Sequence, residues 1–136
     1  MKKYFVILCF LYLGANAQMP AYLYYCTFST PDGKPYVETY ISVYGNSISF
    51  KKNAKGKYQG MVEVGILFTK NGAIKDSKKY NLMSPELNDT VSRPNFIDQQ
   101  RFSLDTGNYE LEWMITDKNK NGKIPRGETS MNRNLS

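Results

Sequence analysis

From Ala21 to Ile115 apolar and polar side chains alternate with period two, and a turn signal breaks the alternation about every ten residues. Period two places successive side chains on opposite faces of an extended chain, so this pattern predicts strands throughout and little helix. The first strand, AYLYYCTFST, closes at Pro31-Asp32-Gly33-Lys34. The second, Tyr36 to Tyr44, sets Val37, Ile41 and Val43 on a core face and Tyr36, Glu38, Tyr40, Ser42 and Tyr44 on the other. Gly45-Asn46 turns into Ser47–Phe50. Tyr58 to Lys70 then carries Val62, Val64, Ile66 and Phe68 on one face and ends at Asn71-Gly72, a pair that tolerates the positive φ of a tight hairpin. Lys75 to Met83 reads as an irregular strand, Ser84 to Asn95 as a long loop and Phe96 to Leu104 as extended chain.

Asp105 to Gly107 delivers Tyr109 to a strand in which Tyr109, Leu111, Trp113 and Ile115 alternate inward, with Glu110 and Glu112 toward solvent. A tyrosine so placed makes the corner before the penultimate strand of immunoglobulin-like sandwiches. The expectation is an all-β, immunoglobulin-like Greek-key sandwich of about seven strands over residues 18–119. Residues 120–136 read as an irregular polar tail. Glu128 to Ser136 alternates poorly, so the reading leaves room for a missing last strand and a truncated or frame-altered chain.

Residues 1–17 carry Lys2 and Lys3, an apolar run and Ala15-Asn16-Ala17, the pattern of a secretory signal peptide. The run is shorter than the roughly 20 residues a membrane span needs, so the mature chain is expected to have no transmembrane anchor. Cys9 lies inside the run rather than behind it, which argues against lipid attachment. The expected location is periplasmic or extracellular. Removing Lys2 and Lys3 leaves 16 basic against 12 acidic side chains, a modest +4, with lysines gathered at turns. Such a charge solvates and guards strand edges and does not call for nucleic acid.

Cys26 remains alone after cleavage, so no internal disulfide is available, and its place in an alternating strand reads as a small buried hydrophobe. The chain has no histidine, which removes imidazole as base, nucleophile partner and metal ligand. With no phosphate loop and no facing carboxylate pair in view, an enzyme is not expected. Tyr36, Tyr40 and Tyr44, three of eleven tyrosines, form a row suited to a protein interface or a neighbouring domain. A carbohydrate-binding module would use the same rings. Asp89-Thr90-Val91 matches a short bacterial O-glycosylation signal at Thr90.

The segments AYLYYCTFSTPDGKPYVETYISVYGNSISFKKN, KYNLMSPELNDT, PNFIDQQRFSL and GNYELEW together resemble the amino-terminal β-sandwich region of exported bacterial GWxTD domain-containing proteins. PYVETY and PNFIDQQR are the most specific pieces. The resemblance spans Ala21 to Asn119 and implies an extracytoplasmic module at the head of a longer, envelope-associated polypeptide, without an activity to transfer. The Gly-Trp-x-Thr-Asp motif itself is absent.

The stretch DKNKNGKIPRGE offers a different function, calcium binding. Asp117, Asn119 and Asn121 stand two apart, Gly122 is sixth, Lys123 seventh and Glu128 twelfth, as in an EF-hand loop. Against it stand the lack of flanking helices, four basic residues around two acidic ones, and Pro125 at the ninth place. The stretch reads best as a turn, with calcium as the alternative cofactor.

Overall fold

The computed structural model describes residues 21–120 and the backbone of a strand at 127–131. The signal-peptide reading falls on residues outside these. Eight strands follow in order: β1 (Ala21–Ser29), β2 (Pro35–Val43), β3 (Phe50–Lys52), β4 (Tyr58–Lys70), β5 (Ala73–Met83), β6 (Phe96–Ser103), β7 (Tyr109–Asp117) and β8 (Gly127–Met131). All named pairings are antiparallel. One sheet has the order β1-β2-β6; the other runs β3-β4-β7-β8, with β5 also on β4. Because β6 returns to β2 while β7 crosses back to β4, the chain traces a Greek key, as the alternation and the corner tyrosine predict.

Each sheet turns one alternate set of side chains inward. Val37, Ile41 and Val43 of β2 and Phe96 and Phe102 of β6 meet Val62, Val64, Ile66 and Phe68 of β4 and Leu111, Trp113 and Ile115 of β7. Phe68 and Phe102 join the two sheets, with ring centroids 4.8 Å apart. Burying a ring of this size contributes about 1.5–3 kcal/mol by area alone.

The β4–β5 hairpin closes through Asn71 at φ 51° and Gly72 at φ 77°, a two-residue turn of the expected kind. Beyond it β5 is longer and more regular than its sequence suggests. It pairs along Met61 to Lys70 with one irregularity between Phe68 and Thr69. Its polar alternation reads weakly because β5 is an edge strand whose inward side chains are only half-covered.

Two expectations need correction. Ser47–Phe50 is not a strand: Gly45–Ser47 forms a 3-10 turn and pairing starts at Phe50. Gly45 is pressed so closely on the carbonyls of Arg93 and Pro94 that a Cβ would collide with them, and its amide donates to Asn95 Oδ1 at 3.1 Å. That contact fixes the turn and delays the strand. Secondly, the last strand is present. β8 pairs with β7 from Tyr109↔Met131 to Trp113↔Gly127, within the segment read as an irregular tail. Pairing is made by backbone groups, so poor side-chain alternation did not forbid it.

The corner itself forms as expected. Tyr109 is buried, its hydroxyl donates to the Asp105 carbonyl at 2.8 Å, and burial raises its pKa. Lys70 closes the corner by donating to the Thr106 carbonyl at 2.9 Å and lying 5.5 Å from the Tyr109 ring centroid.

Candidate functional site

Tyr36, Tyr40 and Tyr44 share the outer face of β2, and the structure sets a second row of rings beside them. Antiparallel register places Tyr24 opposite Tyr40 and Phe28 opposite Tyr36. Phe28 and Tyr36 stack at 5.4 Å, Tyr24 and Tyr40 lie 6.5 Å apart, and Tyr22 meets Tyr44 edge-on at 5.5 Å. Cross-strand aromatic pairs of this kind each stabilise a sheet by a fraction of a kcal/mol to about 1. The β2 rings are half-covered by their partners, so the solvent-facing share of the row belongs to β1. Tyr24 is 55% exposed and Tyr22 50%.

Between Tyr36 and Tyr40 lies Glu38, a carboxylate buried to 8% side-chain exposure under the rings. A buried charge is tolerable only when its oxygens are satisfied. Here Tyr40 Oη donates to Oε2 at 2.5 Å, while Arg101 of β6 donates to Oε1 from Nε at 3.2 Å and Nη2 at 2.7 Å. The guanidinium in turn lies 4.4 Å from the Tyr36 ring centroid. Hydrogen bonds from Tyr40 and then Arg101 lower the Glu38 pKa, and the same carboxylate pushes the Tyr40 hydroxyl up to about 12. Register places Arg101 opposite Glu38. The result is a ring-lined face whose central charges neutralise each other, bordered on β6 by Ile97, 67% exposed.

Sequence reading found the β2 row but missed Tyr22, Tyr24, Phe28, Ile97 and Arg101. The β1 rings had a signal, since Tyr22, Tyr24 and Phe28 share one parity; Arg101 had none, because its partner lies 63 residues away. Cys26 shares that outward parity and is exposed, which corrects its reading as a buried hydrophobe. The inward parity of β1 is held instead by Ala21, Leu23, Tyr25 and Thr27.

The calcium-loop residues have other work where they are described. Asp117 is buried, its Oδ2 accepts the Ser49 amide at 2.7 Å and its Oδ1 the Asn119 amide at 2.9 Å. Asn119 Nδ2 donates to the carbonyls of both Ser49 and Gln59 at 3.0 Å. Together they fasten the end of β7 to the β3–β4 junction. Glu128 belongs to β8, in register with Glu112, while Asn121 and Lys123 fall outside the described residues. Glu110 and Glu112 are exposed, as expected. Thr90 is exposed in its loop beside Val91, which is 92% exposed and whose amide donates to Asp89 Oδ1 at 3.0 Å.

A separate polar rung joins the sheets at the β5–β6 edge. Tyr80 Oη donates to Asp98 Oδ2 at 2.5 Å, and Lys78 Nζ donates to Gln100 Oε1 at 3.2 Å. Burial and then Asp98 raise the Tyr80 pKa strongly. These groups satisfy one another where the sandwich opens and leave no convergent free functionality. Among the described residues no helix is long and apolar enough to cross a membrane. No family model, curated protein or solved structure matches the chain.

Proposed function

We propose that this is an exported, non-catalytic β-sandwich module that works by binding a protein partner or a neighbouring domain, as part of a larger envelope-associated polypeptide. The observation that carries the reading is the ring face of β1 and β2, with Tyr22, Tyr24 and Phe28 outward over Tyr44, Tyr40 and Tyr36. Aromatic rings supply contact area at small entropic cost and dominate binding hot spots. The Glu38–Arg101 pair gives that face a fixed polar centre without net charge. Export is supported by the amino-terminal pattern, and the larger polypeptide by the resemblance to GWxTD domain-containing proteins.

The test is cross-linking of the purified protein to envelope fractions, comparing the parent chain with Tyr40→Ser and Tyr24→Ser. A discrete cross-linked partner that both substitutions remove, with unchanged far-ultraviolet circular dichroism, is the expected result. Retardation in polysaccharide gels that the same substitutions abolish would replace the protein partner with a glycan.

A further inference from the structure

The sheet β1-β2-β6 ends at β1, and among the described residues nothing pairs with its far side. Free strand edges invite other chains, and proteins guard them with charge, proline, bulges or shortness. The other edges here are guarded. β5 carries Lys75, Lys78 and Lys79, β6 carries Asp98 and Arg101, and β8 has five residues. β1 has nine residues, AYLYYCTFS, with no charge, glycine or proline and an unbroken register. In a chain of net charge +6, or +4 without Lys2 and Lys3, two copies repel each other, and among the described residues that neutrality marks the one long edge where a second copy meets no opposing charge.

Backbone parity says what such an edge would pair with. The Thr30 amide donates to the Lys34 carbonyl at 2.9 Å, so Thr30 faces β2. Stepping by two, Phe28, Cys26, Tyr24 and Tyr22 also turn their backbone groups to β2, whereas Ser29, Thr27, Tyr25 and Leu23 turn theirs to the free side. Pro35, which has no N–H, sits opposite Ser29, as that parity requires. On the free side Cys26 therefore occupies a non-hydrogen-bonded position.

We propose that two copies of this chain pair antiparallel through β1, about a two-fold axis at Cys26, and that the pairing is locked by a Cys26–Cys26 disulfide. Opposed residues at a non-hydrogen-bonded position have Cα atoms about 4.5 Å apart, inside the roughly 4.4–6.8 Å that a disulfide spans. The same axis sets Tyr24 opposite Phe28 of the second copy on the outer face, and Tyr25 opposite Thr27 of the second copy in a hydrogen-bonded pair. No charged residue of β1 is opposed. A foreign strand would share the backbone bonds but not this match of thiol to thiol and ring to ring. Isologous pairing of this kind closes at two copies.

The oxidation balances by exchange with a small-molecule disulfide. One Cys26 thiolate attacks it and expels one small thiol; the second copy's Cys26 thiolate then displaces the other. Two protein thiols and one disulfide thus give one protein disulfide and two small thiols. The disulfide rests on the proposed export to an oxidising compartment, whereas the strand pairing does not.

Sedimentation velocity, non-reducing gels and peptide mass mapping test it, on the purified protein with oxidised glutathione or with reductant. The expected result is a covalent dimer whose cross-linked peptides join Cys26 to Cys26, and a reversible dimer for Cys26→Ser. Thr27→Pro removes an N–H that faces the free side and should weaken association at least about tenfold, while Trp113 emission stays native. Cys26→Lys, at an exposed site, should do the same by opposing two charges across the axis. A parent chain that remains monomeric under both conditions, a cross-link mapped to Cys9, or dimers as strong in Thr27→Pro and Cys26→Lys as in the parent chain would overturn the proposal. Tyr40→Ser, on β2 and off the edge, should leave the dimer intact, so loss of the partner face and loss of the pairing are read separately.

Discussion

The Tyr109 hydroxyl donates to the Asp105 carbonyl four residues upstream at 2.8 Å, tying the first residue of β7 to the turn that precedes it. Removing the hydroxyl leaves the ring buried and the carbonyl without this donor. Tyr109→Phe should cost about 1–2 kcal/mol, read as a lower urea midpoint with an unchanged m-value.

Thr39 presents the opposite situation, a hydroxyl on the core face of β2 that is buried and has no hydrogen-bond partner among the described residues. Valine has nearly the same shape and no polar atom to desolvate. Thr39→Val should stabilise the protein by about 1 kcal/mol, seen as a raised thermal midpoint.

Glu38 and Tyr40 couple the ring face to pH in a direction that follows from their shifts. The Tyr40 pKa is raised from 10.0 to about 12, chiefly by its bond to Glu38, so the folded state holds that proton more tightly than the unfolded one. Its contribution is complete below pH 10 and falls away as pH rises toward 12. Glu38 is lowered from 4.5, so its contribution is present above that value and declines as pH falls through the folded value. Glu38→Gln should flatten both limbs of the stability profile, and alkaline absorbance titration should show one tyrosine ionising closer to 10.

Asp117 is the residue on which the turn and calcium readings diverge. Both of its oxygens accept backbone amides, from Ser49 and Asn119. Asp117→Ala should destabilise the fold by about 2 kcal/mol, by the same amount with millimolar calcium as with chelator. A thermal shift with calcium in the parent chain that this substitution removes would restore the metal reading.

Local signals were readable wherever period-two alternation and turn chemistry coincide. β4, the Asn71-Gly72 hairpin, the inward face of β7 and the Tyr109 corner all follow from spacing within a few residues. β1 was harder, since Tyr22, Tyr24, Cys26 and Phe28 are no less apolar than Ala21, Leu23, Tyr25 and Thr27, and only its position beside β2 decides which set faces out. Glu38 looked like an ordinary solvent-side residue because the cation that makes its burial tolerable arrives from β6. β8 escaped notice because what it supplies is backbone pairing.

The turn at Asn71 and Gly72 also bears on how the chain reaches this state. β4 and β5 are joined by two residues, so their long ladder can form with almost no loop to close, whereas β2 must wait for β6 across the intervening β3, β4 and β5. Closing long loops slows folding, so assembly should begin in the middle of the chain and finish where β6 docks on β2. Pulsed hydrogen exchange would then protect the amides linking β4 to β5 before those linking β2 to β6, and the Arg101 bonds that hold Glu38 beneath the rings would close only at that late step.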